Sequence, residues 1–304
     1  MNNTSELFAP ALDAVQFIDH RSLTWSNIRQ TDYWVHKRFQ YTYPGPVREL
    51  RQRLLVVPPE QYGDQRLRAY AGRIVGAKGD ESSTIDSFGN RVLSFYIPEV
   101  PFDITFEVAL KIERAGYPTL LPKVSVEQAA QFLAETPLTA SDDRIATMAR
   151  LLAAQHHTPQ ALAEAINTWV WQTMRYGWGM THVGTTAAEA LALGQGLCQD
   201  YAHIMLAICR WAGLPARYIS GHLLGEGGSH AWVEVLLPAD DGNLVAMPFD
   251  PTNHRRANLG YITIAVGRDY SDVAPTSGSY IAPYQGQLTA SKRAGLTRIE
   301  YASV

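Results

Sequence analysis

The sequence predicts an α+β protein in which an N-terminal β-sandwich precedes a core with a helix packed on an antiparallel sheet. Short alternating apolar and polar segments with turn signals between them fill residues 31–114, as in sandwich strands. Apolar spacings of three and four follow over residues 141–213, and strand patterns resume at residue 216. The 304-residue length suits two domains, which we place at residues 1–115 and 116–304.

Five segments of the first half are predicted strands. In the clearest, DITFEVALKIER, one face carries only apolar side chains: Ile104, Phe106, Val108, Leu110 and Ile112. The other segments are residues 31–43, 48–59, 65–76 and 83–98, the last with a turn at residues 86–90. No pattern in this half indicates chemistry, so we expect its polar residues to form the solvated face of a sheet.

Helix signals follow a linker marked by Gly116, Pro118 and Pro122. Ser141 and two aspartates open one helix, and Thr158 with Pro159 fits the start of a second. The pair Thr186 and Glu189 matches a capping box ahead of a third. Gly194 and Gly196 interrupt the chain before a fourth helix, which we expect to end at Gly213. Its apolar stripe is Leu197, Tyr201, Ile204, Met205, Ile208 and Trp211.

The chain has two cysteines, Cys198 and Cys209, both in this fourth segment. On one helix they would lie about 16 Å apart along the axis, which excludes a disulfide between them. Two free thiols, with no N-terminal signal pattern, favour a cytoplasmic location. Cys198 belongs to the first helical turn, where the exposed N–H groups favour a thiolate. Cys209 is expected to be a buried, unreactive thiol.

Composition and motifs exclude several other classes of function. A formal net charge of -3 without a basic arm argues against nucleic acid, and no stretch of about 18 apolar residues indicates a membrane span. Neither zinc-ligand spacings nor an EF-hand loop occurs, so no metal is expected. The glycines match no phosphate-binding motif, and no cofactor is expected. The oligomeric state is not readable from the sequence.

A hairpin would bring a histidine and an aspartate together. HAWVEVLLP begins at His230, a turn follows around Asp241 and Gly242, and LVAMPFD returns to Asp250. If residues 236 and 244 pair, His230 lies opposite Asp250 with the two Cβ atoms about 5 Å apart. One imidazole nitrogen could then bind the carboxylate and leave the other for Cys198.

Three blocks in this region, GLCQDYAH, SHAWVEV and FDPTN, resemble in order and spacing those of the transglutaminase-like superfamily. The resemblance covers about residues 151–253, and it extends to the β-domain and the tail motif VGRDYSDVAPTSGSY of many bacterial members. It implies a papain-like core in which Cys198 is the nucleophile, His230 the base and Asp250 the orienting acid. The implied reaction is acyl transfer on a peptide, protein or small amide through a thioester, with hydrolysis favoured over transamidation.

The superfamily also implies a second oxyanion donor besides the Cys198 backbone N–H. Trp178, Tyr176 and Gln195 are candidates, and the two aromatic residues fit equally well as packing residues at a helix end. Asp200 is expected to serve the first helical turn, and His203 to be a packed or solvated residue. His222 is a residue that could line the cleft without a chemical role. The alternative function is a catalytically silent relative that uses the cleft or the β-domain to bind proteins.

Overall fold

The computed structural model describes residues 7–8, 15–116 and 120–302, so the predicted linker residue Pro118 lies outside the described residues. The first seven strands are β1 Ile28–Thr42, β2 Val47–Val57, β3 Gln61–Tyr62, β4 Gln65–Val75, β5 Asp80–Ile85, β6 Arg91–Val100 and β7 Asp103–Ala115. They form two antiparallel sheets, which contain β1-β7-β4-β3 and β2-β6-β5. The predicted strands are therefore present, each within a few residues of its predicted bounds.

A shared apolar core joins these two sheets. The five predicted inward residues of β7 are each at most 2% exposed. Phe106 of this strand contacts Phe95 of β6, in the other sheet, with ring centroids 5.0 Å apart. This packing confirms the N-terminal sandwich. The outer face of β7 is less solvated than expected, because Glu107 is 8% exposed and accepts a hydrogen bond from Arg73.

The last two strands of the chain return to the sandwich. β15 Thr276–Ile281 pairs with β2, and β16 Gln287–Tyr301 pairs with β1 along almost its whole length. The predicted division at residue 115 left these strands with the core. Antiparallel pairing with β2 and β1 instead satisfies the backbone groups of β15 and β16 at the edges of the two sheets. The sandwich is thus built from the first seven strands of the described chain together with its last two strands.

The core lies between these two parts of the sandwich in sequence. Its main sheet has the order β14-β11-β12-β13-β8 and is antiparallel. The bounds are β8 Lys123–Val124, β11 Ala216–Leu223, β12 His230–Pro238, β13 Leu244–Phe249 and β14 Tyr261–Gly267. A second, parallel pair joins β9 Arg175–Tyr176 and β10 Gln195–Gly196. This small pair precedes the helix that carries Cys198.

Six α-helices follow the first seven strands in the described chain. They are α1 Val126–Ala130, α2 Asp143–Gln155, α3 Pro159–Thr173, α4 Ala187–Leu193, α5 Cys198–Trp211 and α6 Tyr270–Val273. The predicted caps are observed at Thr158 and in the capping box of Thr186 and Glu189. None of the helices in the described part of the chain is long and apolar enough to cross a membrane.

Helix α5 is the centre of the core. One side packs on β11 and β12, and the other packs on α2, α3 and α4. All eleven residues from Asp200 to Arg210 are therefore buried, where the sequence predicted a single apolar stripe. Cys209 is fully buried, and burial raises the pKa of its thiol to about 12. The prediction of a buried Cys209 is confirmed, and both cysteines are free.

Candidate active site

Cys198 is the first residue of α5, as its sequence context predicted. Helix α4 ends at Gly194, whose φ of 63° is left-handed, and β10 then leads directly into α5. The Asp200 carboxylate folds back to accept hydrogen bonds from the Leu197 N–H and the Thr181 hydroxyl, each at 2.7 Å. Asp200 therefore caps the first turn, the structural role expected for it. Cys198 itself stays partly exposed at the positive end of the helix dipole.

Gly196 makes this tight entry to the helix possible. A Cβ atom at this position would lie 2.5 Å from Asp200 Oδ2. The backbone of Gly196 pairs with Tyr176 in the parallel β9–β10 ladder, where the Gly177 N–H donates to the Gly196 carbonyl at 3.1 Å. The ladder therefore fixes Tyr176 beside the segment that carries Cys198.

His230 and Asp250 are in direct contact in the interior. His230 begins β12 and is 2% exposed, and Asp250 follows β13 and is fully buried. His230 Nε2 lies 2.8 Å from Asp250 Oδ2. The structure therefore brings the predicted histidine and aspartate together.

The register of the hairpin differs from the prediction. Leu236 pairs with Ala246 rather than with residue 244, a shift of two residues. The centre of the connecting loop therefore lies one residue later in the chain than expected. Gly242, with a φ of 81°, provides the left-handed residue near the end of this turn. Side chains alternate with a period of two, and this shift keeps both site residues on one face. Asp250 thus reaches His230 diagonally, beyond the last strand pair of Val233 and Phe249.

A network of donors surrounds the Asp250 carboxylate. Oδ2 accepts the Tyr261 hydroxyl at 2.5 Å and the Asn253 side-chain amide at 2.8 Å, in addition to His230. Oδ1 accepts the backbone N–H groups of Thr252 and Asn253 at 2.9 and 3.1 Å. Burial alone raises the pKa of Asp250, but these bonds outweigh burial and lower the pKa below 3.8. Asp250 is thus held as a carboxylate.

A second carboxylate meets the other nitrogen of His230. Glu226 Oε2 lies 3.1 Å from His230 Nδ1. Burial lowers the pKa of His230, but hydrogen bonds to Asp250, Cys198 and Glu226 outweigh burial and raise the pKa above its usual 6.5. These contacts therefore favour the imidazolium form of His230, and Asp250 fixes the Nε2 side of its ring.

This raised pKa gives the stability contribution of His230 a defined pH dependence. The contribution is complete below the unfolded pKa of 6.5 and is lost as pH rises through the higher folded pKa. The unfolding free energy of wild type exceeds that of His230→Gln by an amount that is expected to shrink by up to about 1.4 kcal/mol per pH unit above pH 6.5. Urea unfolding at several pH values measures this difference. A difference that grows with pH would contradict the assignment.

A cavity of about 630 Å³ opens in front of Cys198 and His230. Two of the three predicted oxyanion candidates line it, Tyr176 and Trp178, which are 55% and 78% exposed. The side chain of the third, Gln195, lies against Gly177, where a Cβ atom would be 2.2 Å from its Nε2, and it is outside the cavity lining. Further parts of the wall come from the loop before β12, the turn after Asp250, Tyr218 and Ser220 of β11, and Tyr270 of α6.

The other histidines singled out by sequence lie away from the cavity. His203 is fully buried, and its Nε2 accepts the Tyr270 backbone N–H at 3.2 Å, so the expectation of a packed histidine is met. His222 is 1% exposed and does not line the cleft. Its charged neighbours are the buried Lys37 and the partly buried Lys292. Over the described ranges, no group of three or more His, Cys, Asp or Glu residues could hold a metal ion.

Two known protein families match parts of this chain. The pattern of the Transglutaminase-like superfamily matches residues 146–250, and that of the Bacterial transglutaminase-like N-terminal region matches residues 33–113. The chain belongs to the transglutaminase-like superfamily. The two matches coincide with the core and the sandwich. They confirm the resemblance drawn from the three sequence blocks.

Individual relatives agree with this membership. An uncharacterized Mycobacterium leprae protein is 31% identical over a 215-residue alignment that covers 64% of this chain and 75% of that protein. An uncharacterized Mycobacterium bovis protein is 28% identical over 81% of this chain and 86% of its own length. The crystal structure of a "Putative Cysteine Protease" from Cytophaga hutchinsonii superposes with a TM-score of 0.72 at 18% identity, over 90% of this chain and 93% of that one. This transglutaminase-like chain therefore shares its whole fold with a solved structure.

Three residues that contact His230 or Asp250 escaped sequence reasoning. Asn253 stood inside the block FDPTN, and its place three residues after Asp250 in a turn was an available signal. Glu226 lies four residues before His230 in a glycine-rich loop whose conformation the sequence does not fix. Tyr261 reaches Asp250 only because β14 pairs with β11, and nothing local indicates this contact.

Proposed function

We propose that the protein is a cysteine-dependent acyl-transfer enzyme that cleaves amide bonds of peptide, protein or small amide substrates. One observation carries the proposal. A partly exposed thiol at a helix N-terminus and a buried, carboxylate-bound imidazolium line the same cavity. This pairing is what a thiol needs in order to act as a thiolate nucleophile at neutral pH. Membership in the transglutaminase-like superfamily supports the same chemistry.

The reaction follows from the positions of the three groups. The Cys198 sulfur attacks the amide carbonyl, and the carbon–nitrogen electron pair leaves with the amine as His230 gives up its Nδ1 proton. A thioester remains on Cys198. Water then attacks the thioester, with neutral His230 taking its proton, and releases a carboxylic acid. Asp250 holds the Nε2 side of the ring throughout and stabilises the cation in both steps.

The second step can use water or an amine, and both routes need the same three residues. We favour hydrolysis, as a peptidase or amidase. A peptide and amide library incubated with and without a primary amine tests the proposal, with Cys198→Ala as the control. Acid products that depend on Cys198 support hydrolysis, and amine-containing products support transamidation. The absence of both products over a broad library would favour the catalytically silent, protein-binding alternative.

Tyr176 is our choice for the second oxyanion donor. It lines the cavity beside Cys198, and its hydroxyl interacts electrostatically with Cys198, Glu226 and His230. Tyr176→Phe is expected to lower kcat about 100-fold while KM changes little, because the donor acts on charge that develops in the transition state. Steady-state kinetics on the library hit measures both constants. Tyr301→Phe, at an exposed strand residue, is the matched control, and an unchanged kcat in Tyr176→Phe would rule out this role.

A further inference from the structure

Glu226 is the one acidic or basic side chain other than His230 among the described residues that line the cavity. Its side chain is 38% exposed, so the carboxylate faces both His230 and solvent in the cleft. Asp250, by contrast, is fully buried behind the imidazole and cannot meet a substrate. The electrostatic character of the cleft toward a substrate side chain is therefore set largely by Glu226.

The two nearby lysines, Lys292 and Lys37, do not line the cavity. Lys292 interacts with Glu226, but its ammonium donates to the Gly228 carbonyl and the residue does not line the cavity. Lys37 and His222 are buried further from the cleft and are likewise absent from its lining. The His230 imidazolium is shared between Asp250, Cys198 and Glu226.

Two exposed aromatic side chains, Tyr176 and Trp178, also line the cavity. Within the described part of the chain, the Trp178 side chain has no aromatic ring contact and no hydrogen bond. Exposed aromatic faces attract cations through the ring quadrupole, by about 0.5–1 kcal/mol each. A carboxylate that shares a cavity with two such rings suits an ammonium or guanidinium group. It disfavours an anion, which would also face the thiolate.

From this arrangement we propose that Glu226 selects substrates carrying a positively charged group next to the scissile carbonyl, such as lysine or arginine peptides. This inference rests on the proposed function, because it takes Cys198 as the nucleophile. The loop that carries Glu226 contains Gly225, with a φ of 89°, and Gly227 and Gly228, at each of which an added Cβ atom would meet open space. The loop therefore leaves room for a long basic side chain beside the carboxylate.

Charged thiol reagents test the selectivity without a known substrate. Cationic, neutral and anionic methanethiosulfonates report the charge preference at Cys198, because Cys209 is fully buried. In Glu226→Gln, which keeps an oxygen to accept the Nδ1–H, the ratio of cationic to anionic rate constants is expected to fall about tenfold. In Glu226→Lys the preference is expected to invert. The exposed Glu99→Gln on the sandwich is the matched control and should leave the ratio unchanged.

The outcomes separate this inference from the proposed function. A ratio within twofold of wild type in both Glu226 variants, or equal slowing of all three reagents, would overturn the selectivity and leave the nucleophile standing. Failure of wild-type Cys198 to react even with the neutral reagent would instead count against the proposed function. Once an active peptide is known, kcat/KM can be compared between peptides with lysine and with glutamate next to the scissile carbonyl. The ratio of the lysine value to the glutamate value is expected to fall in Glu226→Gln.

Discussion

Cys198→Ser is expected to lower kcat/KM for any amide substrate at least 10⁴-fold while the fold stays intact. The reason is specific to this site. Bonds to Asp250 and Glu226 raise the pKa of His230, so the imidazole already holds its proton. A thiol can lose its proton in such a site and form an ion pair. A serine hydroxyl, whose proton is held far more tightly, has no base to receive it.

Kinetics with the library hit and thermal unfolding measure this effect together. Cys209→Ser is the matched control, because it exchanges the same atom at the buried end of α5 and leaves the cleft untouched. It is expected to retain activity and to lose some stability through the buried hydroxyl. Activity of Cys198→Ser within tenfold of wild type would contradict the thiolate mechanism.

Asp250→Ala is expected to cost about 3–5 kcal/mol of unfolding free energy and about 10³-fold in kcat. The substitution leaves the buried His230 cation without its closest partner, and it removes the acceptor of the Tyr261 hydroxyl and the Asn253 amide. Unpaired buried charges and donors are costly because water cannot replace the lost partner. Urea unfolding and steady-state kinetics give the two values.

Asp250→Asn separates charge from hydrogen bonding in the same position. Its amide keeps one acceptor oxygen and nearly the same volume, so we expect a smaller loss of stability than for alanine. It also lowers the His230 pKa, because the carboxylate charge that raises this pKa is removed. A stability loss below about 1 kcal/mol for Asp250→Ala would show that the network around Asp250 contributes little to the fold.

Local signals explain what could be predicted from sequence. Capping residues and alternating strands act over a few residues, so the starts of α3 and α4 and the inward face of β7 followed directly from them. The position of Cys198 at the start of α5 also followed from sequence, because Gly194 and Gly196 interrupt the chain just before it. The site histidine and aspartate needed only the correct face of a hairpin, and a two-residue error in register preserved that face.

Long-range contacts explain the remainder. The return of β15 and β16 to the sandwich depends on unpaired edges of β1 and β2, which are more than 200 residues earlier in the chain. The burial of α5 on every side over residues 200–210 depends on three helices that cover its outer side. Glu226 and Tyr261 reach the site through a loop conformation and a strand pairing. Neither has a signature in its own neighbourhood.

The most direct measurement of the central claim is brief iodoacetamide treatment followed by intact-mass analysis and peptide mapping. Wild type is expected to gain one adduct rapidly, at Cys198, and to leave the buried Cys209 unmodified. His230→Ala should lose this fast reaction, because the cation that favours the thiolate is gone. Slow labelling of both cysteines in wild type, or equal rates in wild type and His230→Ala, would contradict an activated Cys198–His230 pair.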